Sequence, residues 1–232
     1  MSVLEIKDLR KRYGTVTALD GLTLSCDREI YGLIGPNGAG KSTALAILMG
    51  LLRADAGMAA VAGFEVGTHP LEVKRRTGFL PEEPFFYEYL TGEETLHFVE
   101  AAHEVCWTKN EFLRNWIEQL DMVPHLDQLV GHYSHGMRQK LAIFLTLLHD
   151  PVLMLWDEPY VGLDYPSQEK VKRLLGELKE RGKTVVISTH VLPLVESAAD
   201  RVGFILDGRL RWEGENPGNL ARLFADVPGM GA

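Results

Sequence analysis

Apolar side chains alternate with polar ones from Val3 to Leu9, and Leu22, Leu24 and Cys26 repeat the same period of two. That alternation predicts two short antiparallel strands, each with one buried face. A continuous apolar run follows at Ile30, Tyr31, Leu33 and Ile34, as in a strand buried on both sides. Ala44, Leu45, Ile47 and Leu48 then switch to helical spacing, and the apolar residues carry that helix to about Leu51-Leu52. Ala59 to Phe64 and Gly78-Phe79-Leu80 read as further short strands.

The character changes near residue 82. From Thr91 to Leu129 apolar residues recur at helical spacing, as at Leu96 and Val99, or Phe112, Trp116, Ile117 and Leu120. Thr91 followed by Glu94 is a capping-box start, and a second helix is expected from about Ser134 to Leu148. Strand and helix alternate again at Val152–Trp156, Ser167–Glu180, Val185–Ser188 and Val191–Ala199. Asp207-Gly208 lies between Val202–Leu206 and Arg209–Trp212, the signal of a type I′ hairpin. The tail from Gly214 to Ala232 has room for one short helix. The predicted organisation is an α/β core, 1–81 and 150–212, interrupted by a helical insert at 82–149 and followed by a tail at 213–232.

Composition narrows the partners. The 232 residues are 46% hydrophobic and 24% charged, enough for a full core. A net charge of −8 points away from nucleic acid. Cys26 and Cys106 lie far apart without metal-like spacing and are expected to be reduced thiols. Met1–Ile6 lacks the charged and apolar regions of a signal peptide, and the apolar stretch Leu141–Trp156 is broken by His149, Asp150 and Pro151. Action at a membrane would therefore go through a partner.

Chemistry enters at Gly35-Pro36-Asn37-Gly38-Ala39-Gly40-Lys41-Ser42-Thr43, which matches the phosphate-loop pattern G-x-x-x-x-G-K-[ST] between a strand and a helix. Gly38 and Gly40 let the backbone curl so that N–H groups converge on an anion at a helix N-terminus. Lys41 adds a point charge for the outer phosphates, Ser42 offers a hydroxyl to Mg²⁺, and Thr43 reaches an inner phosphate. The strand Leu153–Trp156 ends in Asp157-Glu158. Carboxylates are costly at a buried strand end unless a cation or proton awaits them. Beside the phosphate loop, Asp157 is the expected Mg²⁺ partner through water and Glu158 the candidate base for a hydrolytic water. Ser134 is placed to cap the helix after it. Its hydroxyl, the neighbouring N–H groups and the helix dipole make a second anion site.

From about Leu4 to Trp212 the chain resembles the nucleotide-binding subunits of ABC transporters. Gly35 to Ser42 is similar to the family's Walker A, Tyr133 to Met137 to its signature (usually Leu-Ser-Gly-Gly-Gln), and Leu153 to Glu158 to its Walker B and catalytic glutamate. Val161-Gly162-Leu163-Asp164 resembles the D-loop and Ser188-Thr189-His190 the switch-histidine segment. Tyr13 stands where the family stacks an aromatic on adenine. The resemblance implies a P-loop ATPase fold with an N-terminal antiparallel region, and a head-to-tail dimer, of two copies or of one copy with a relative. In it ATP and Mg²⁺ lie between Walker A of one subunit and Ser134, His135, Gly136 and Asp164 of the other. His190 would contact the γ-phosphate. The chain departs from the pattern twice. Glu82 takes the Q-loop glutamine position, where a carboxylate can still ligate Mg²⁺. His135 takes the first signature glycine position, where an imidazole must point aside or add charge when protonated.

The function these features imply is ATP hydrolysis driving a separate membrane permease on the cytoplasmic face of the membrane, with sequence style closest to bacterial exporters. The permease would be gripped through Glu82–Thr91, whose Phe85, Phe86, Tyr87, Tyr89 and Leu90 form an aromatic patch. Two alternatives remain: a soluble ABC ATPase acting on ribosomes or DNA, and an ATP-gated binding module without turnover, against which Glu158 speaks.

Overall fold

Two sheets divide the strands. A computed structural model describes residues 2–227 of the chain. Strands β1 (Leu4–Tyr13) and β2 (Val16–Cys26) pair antiparallel, and β3 (Ile30–Ile34) leads into helix α1 (Lys41–Leu48). Strands β4 (Ala56–Val61) and β5 (Phe64–Glu65), helix α2 (Pro70–Arg76) and strand β6 (Thr77–Leu80) follow. Helices α3 (Gly92–His103), α4 (Glu111–Gln119) and α5 (His135–Leu147) occupy the stretch before β7 (Leu153–Asp157). The chain continues through α6 (Tyr165–Glu180), β8 (Thr184–Thr189), α7 (Leu192–Glu196), β9 (Arg201–Leu206), β10 (Arg209–Glu215) and α8 (Leu220–Asp226).

The first sheet is antiparallel in the order β2-β1-β4-β5; the second has the order β10-β9-β3-β8-β7-β6 and is parallel except for the β9–β10 hairpin. One core cluster lies between the first sheet, α1 and one face of the second. The other joins the opposite face to α4, α5 and α6 through Trp116, Phe144 and Trp156. The strands β3, β7 and β8 are buried at every position, which is why Leu153–Trp156 of β7 reads as an unbroken apolar run, while β8 holds apolar Val185, Val186 and Ile187 between buried polar residues.

Several elements depart from the sequence expectation. The first two strands are long, ten and eleven residues, because β1 bulges at Asp8 (φ 48°) and continues out of phase. Helix α1 stops at Leu48, not Leu51-Leu52: Gly50 turns left-handed (φ 65°) and bonds back to Ile47. The expected strand Ala59–Phe64 is two strands, separated by Ala62 and Gly63, both at positive φ. Helix α2 was not expected, α6 starts two residues earlier than expected, and α7 covers only Leu192–Glu196 of the helix expected to Ala199. The capping box at Thr91 and Glu94 is present, Ser134 caps α5, and Asp207 and Gly208 both take the positive φ of a type I′ turn. Cys26 and Cys106 are both free. No described helix is long and apolar enough to cross a membrane.

Candidate functional site

Three neighbouring parallel strands end on one edge of the second sheet, and the candidate chemistry sits there. The loop 35–40 follows β3, Asp157-Glu158 ends β7, and Ser188-Thr189-His190 ends β8. Open parallel sheets bind ligands at this carboxyl edge.

The loop has the shape its glycines predict. Gly40 is the N-cap residue of α1 in a left-handed conformation (φ 106°), and a Cβ there would stand 2.3 Å from the Ala18 carbonyl oxygen. Only glycine fits on both counts. Gly35 is held as tightly, with the Ile205 carbonyl 2.3 Å from where its Cβ would be. No side chain caps α1, so its first N–H groups are left for a ligand, an arrangement suited to an anion. Lys41 is buried and donates through Nζ to the carbonyls of Gly35 (2.7 Å) and Pro36 (3.1 Å). Burial lowers its pKa, while Glu158, Asp157 and Glu82 hold it up.

A cavity of about 230 Å³ opens above this loop, lined by Ala18, Asn37, Gly38, Gly40, Lys41, Ser42, Thr43, Glu82, Asp157 and Glu158. Both acids of β7 are buried, and both are satisfied from β8. The Ser188 hydroxyl donates to Asp157 Oδ1. Thr189 Oγ1 donates to Glu158 Oε2 at 2.6 Å, the His190 backbone N–H donates to Glu158 Oε1 at 3.0 Å, and His190 Nδ1 stands 2.6 Å from the same oxygen. Glu158 itself is left-handed (φ 47°), a conformation that costs a non-glycine residue on the order of 1–3 kcal/mol and marks an over-determined position.

The residues singled out in the sequence thus separate into groups. Asn37, Gly38, Gly40, Lys41, Ser42, Thr43, Glu82, Asp157 and Glu158 share the cavity, with His190 bonded to Glu158. Gly35, Pro36 and Ala39 build the loop's frame instead of its lining. Tyr13 ends β1, is 46% exposed, has Lys11 Nζ 5.5 Å from its ring centre, and is not part of the lining. Ser134, His135, Gly136 and Asp164 lie outside this cavity. They gather around the turn after β7: a Cβ on Gly162 would meet His135 Nδ1 at 2.2 Å, and one on Gly136 would meet the Gly162 carbonyl at 2.8 Å. Asp164 caps α6 by accepting from the Ser167 N–H at 3.1 Å, and that residue's hydrogen bonds lower its pKa. The sequence reading named Ser188 and Thr189 only within the switch-histidine segment, without a role of their own, and gave no role to Ala18 or Gln139, whose contacts reach backbone far along the chain.

The side-chain oxygens that line the cavity come from Asn37, Ser42, Thr43 and three carboxylates, hard donors that suit a divalent cation. No cluster of three or more His, Cys, Asp or Glu among the described residues forms a metal cage by itself. A cation here would therefore share its ligation with a phosphate, as magnesium commonly does.

Residues 19–161 match the family model for ABC transporter domains. The chain is 32% identical over 229 residues to the linearmycin resistance ATP-binding protein LnrL of Bacillus subtilis, covering 97% of this chain and 73% of that protein. It is 35% identical over 227 residues to the lantibiotic transport ATP-binding protein SrtF of Streptococcus pyogenes, covering 96% of both. Several other relatives are longer, and the chain spans 63–68% of them. A solved structure of the ATP-binding subunit of an ABC transporter superposes with a TM-score of 0.87 at 30% identity, over 99% of this chain and 96% of that one. Fold, phosphate loop and relatives agree: the chain belongs to the ABC transporter family, as one of its ATP-binding ATPase subunits.

Proposed function

We propose that this subunit hydrolyses Mg²⁺-ATP to power a separate membrane permease that exports its cargo, and that it does so at the edge where β3, β7 and β8 end. One observation carries the enzymatic part: the buried Glu158 carboxylate is fixed by Thr189 and His190 at the rim of the cavity that Lys41 and Ser42 also line. The loop N–H groups and Lys41 bind the phosphates, exchanging the Gly35 and Pro36 carbonyls for the ligand. Tyr13, exposed at the end of β1, offers a ring for the adenine. Ser42, Asp157 and Glu82 supply the oxygens for magnesium, which when bound neutralises charge developing on the phosphates. Glu158 takes the proton of the attacking water, and His190 orients that carboxylate while facing the γ-phosphate.

Ser134, His135, Gly136 and Asp164 lie away from this cavity, which supports their acting on nucleotide held by a second subunit, of this chain or of a relative. The permease side is the segment 82–91. Phe86 is buried, but Phe85, Tyr87 and Tyr89 are exposed, and Phe85 and Tyr89 each pack against Tyr87, which also meets Phe98 edge to face. Such an aromatic cluster suits a short amphipathic helix from a membrane protein. A permease contact there supports a working position on the cytoplasmic face of the cell membrane, reached through the permease.

Relatives named for linearmycin resistance, bacitracin transport, lantibiotic transport and fluoroquinolone export favour an exporter over the ribosome- or DNA-linked alternative, and the net charge of −8 speaks against nucleic acid. The test is turnover of the purified chain with ATP and magnesium beside Glu158→Gln. The variant is expected to bind ATP, accumulate as a nucleotide-bound dimer on gel filtration, and lose about 10²–10⁴-fold in turnover. Wild-type turnover in that variant would remove Glu158 from the chemistry.

A further inference from the structure

Helix α5 touches the turn after Glu158 at two points that the function described so far does not use. Gln139 lies on α5 with none of its surface exposed. Its Nε2 donates to the carbonyl oxygens of Glu158 (3.4 Å) and Pro159 (3.2 Å), while its Oε1 has no partner. The amide must face this way, because its oxygen turned inward would oppose two carbonyls. An unpaired acceptor in the core costs about 1–3 kcal/mol, which an apolar side chain of the same size would not incur. Stability alone is a poor reason for a glutamine here.

One helical turn earlier, the imidazole of His135 fills the space that Gly162 (φ 76°) leaves open. Positions 135 and 139 are four apart and so lie one above the other on one face of the helix. Their side chains meet the two ends of a single turn, Glu158–Gly162, which closes on itself through the Val161 N–H and the Glu158 carbonyl (3.2 Å). That turn begins at the left-handed Glu158, and the backbone conformation there decides where the carboxylate points.

We infer that Gln139 is a positioning residue for Glu158, with His135 as the second point of a brace. The helix that carries Ser134 then fixes the aim of the carboxylate in its own chain. The inference rests on Glu158 being the base, as proposed above. It ties the two half-sites of one subunit together: a ligand meeting Ser134 at the start of α5 acts on the same rigid element that holds the turn after Glu158.

The experiment measures turnover, ATP-analogue affinity and melting for wild type, Gln139→Met, Glu158→Gln and the double variant. Methionine keeps the length and removes the donor. Turnover of Gln139→Met is expected to fall about 10–100-fold, the scale of a displaced catalytic group, with affinity and melting temperature unchanged. Added to Glu158→Gln, the same change is expected to do nothing further, because the group it positions is gone. Wild-type turnover in Gln139→Met overturns the inference, and so does an equal fall in the Glu158→Gln background. If Gln139→Met does not fold, Gln139→Leu, which also removes the donor at similar volume, is put through the same cycle with the same two refuting outcomes. Full activity of Glu158→Gln alone defeats the base assignment instead, so the two failures are told apart.

Discussion

Acid should destabilise this protein in part through one imidazole, and replacing that ring should remove that part. His149 follows α5 and lies flat against His103, with ring centres 3.9 Å apart and planes 12° from parallel. Neither nitrogen of His149 has a hydrogen-bond partner of good geometry, the Thr77 backbone making only a weak approach. Burial first, and then His103, push its pKa down from 6.5 to about 4; Lys183 pushes the same way, and the Thr77 backbone and Asp150 oppose them. Burial lowers the pKa of His103 as well. The folded state therefore binds fewer protons than the unfolded chain once the pH drops below 6.5, and stability falls until the folded ring itself titrates near 4. The full difference, 6.5 against 4, sets a ceiling of about 3.4 kcal/mol, at about 1.36 kcal/mol per pH unit. By about pH 5 the unfolded ring is almost fully protonated and the folded one almost fully neutral, which gives a loss of about 2 kcal/mol. Solvent reaching the ring's edge reduces this to about 1–2 kcal/mol. His149→Phe keeps a flat ring against His103, gives up only the weak approach of the Thr77 backbone and cannot take up the proton. Urea titrations of both proteins between about pH 7.5 and about pH 5 read the effect, since every other titrating group is common to the pair. The variant is expected to gain on wild type by about 1–2 kcal/mol across that range, or about 3–6 °C in melting temperature. A stability difference that does not change with pH would refute the burial of a neutral His149.

Other perturbations read the site and its surroundings directly. Gly40→Ala forces a Cβ to within 2.3 Å of the Ala18 carbonyl at a φ of 106°, so nucleotide binding is expected to be lost in equilibrium dialysis while the far-UV spectrum is retained. Lys41→Ala frees the Gly35 and Pro36 carbonyls and removes the only cation lining the cavity among the described residues; fluorescent-nucleotide titration should show affinity down by about 10-fold or more, and normal affinity would contradict the phosphate-loop assignment. Phe85→Ser with Tyr89→Ser leaves the core untouched, because both rings are exposed, so basal turnover should persist while co-sedimentation with permease-containing membranes is lost. Equal co-sedimentation would move the permease contact elsewhere.

What could be read from the sequence was what is encoded locally. The phosphate loop declares itself because glycines at fixed offsets are the only residues its backbone tolerates, as Gly40 shows. The capping box at Thr91 and the Asp207-Gly208 turn are legible for the same reason: each is closed by its own few residues. Legibility failed where geometry overrode the pattern. Apolar Met49, Leu51 and Leu52 extend the helical period past Leu48, but Gly50 at positive φ ends the helix. The Asp8 bulge breaks the alternation of β1, so a ten-residue strand reads as a short one. Helix α2 buries only Val73, so its seven residues carry no apolar stripe to detect.

The hardest residues to foresee are those that answer a buried charge from another strand. Asp157 and Glu158 end a strand with no exposed position, and an unpaired carboxylate there would cost several kcal/mol. The neighbour that meets this cost is fixed by strand order, not by sequence distance: β8 lies beside β7 in register Asp157↔Ser188, so Ser188, Thr189 and His190 arrive opposite the two acids. Polar residues ending β8 are thus required by the acids ending β7, whichever of them later touches nucleotide. The carbonyl of Glu158 is met from another side, by Gln139 on α5. An acid at the end of a parallel strand is therefore gripped twice, by its side chain from the adjacent strand and by its backbone from the helix beneath. A substitution at either grip should reach the chemistry without touching the ligand.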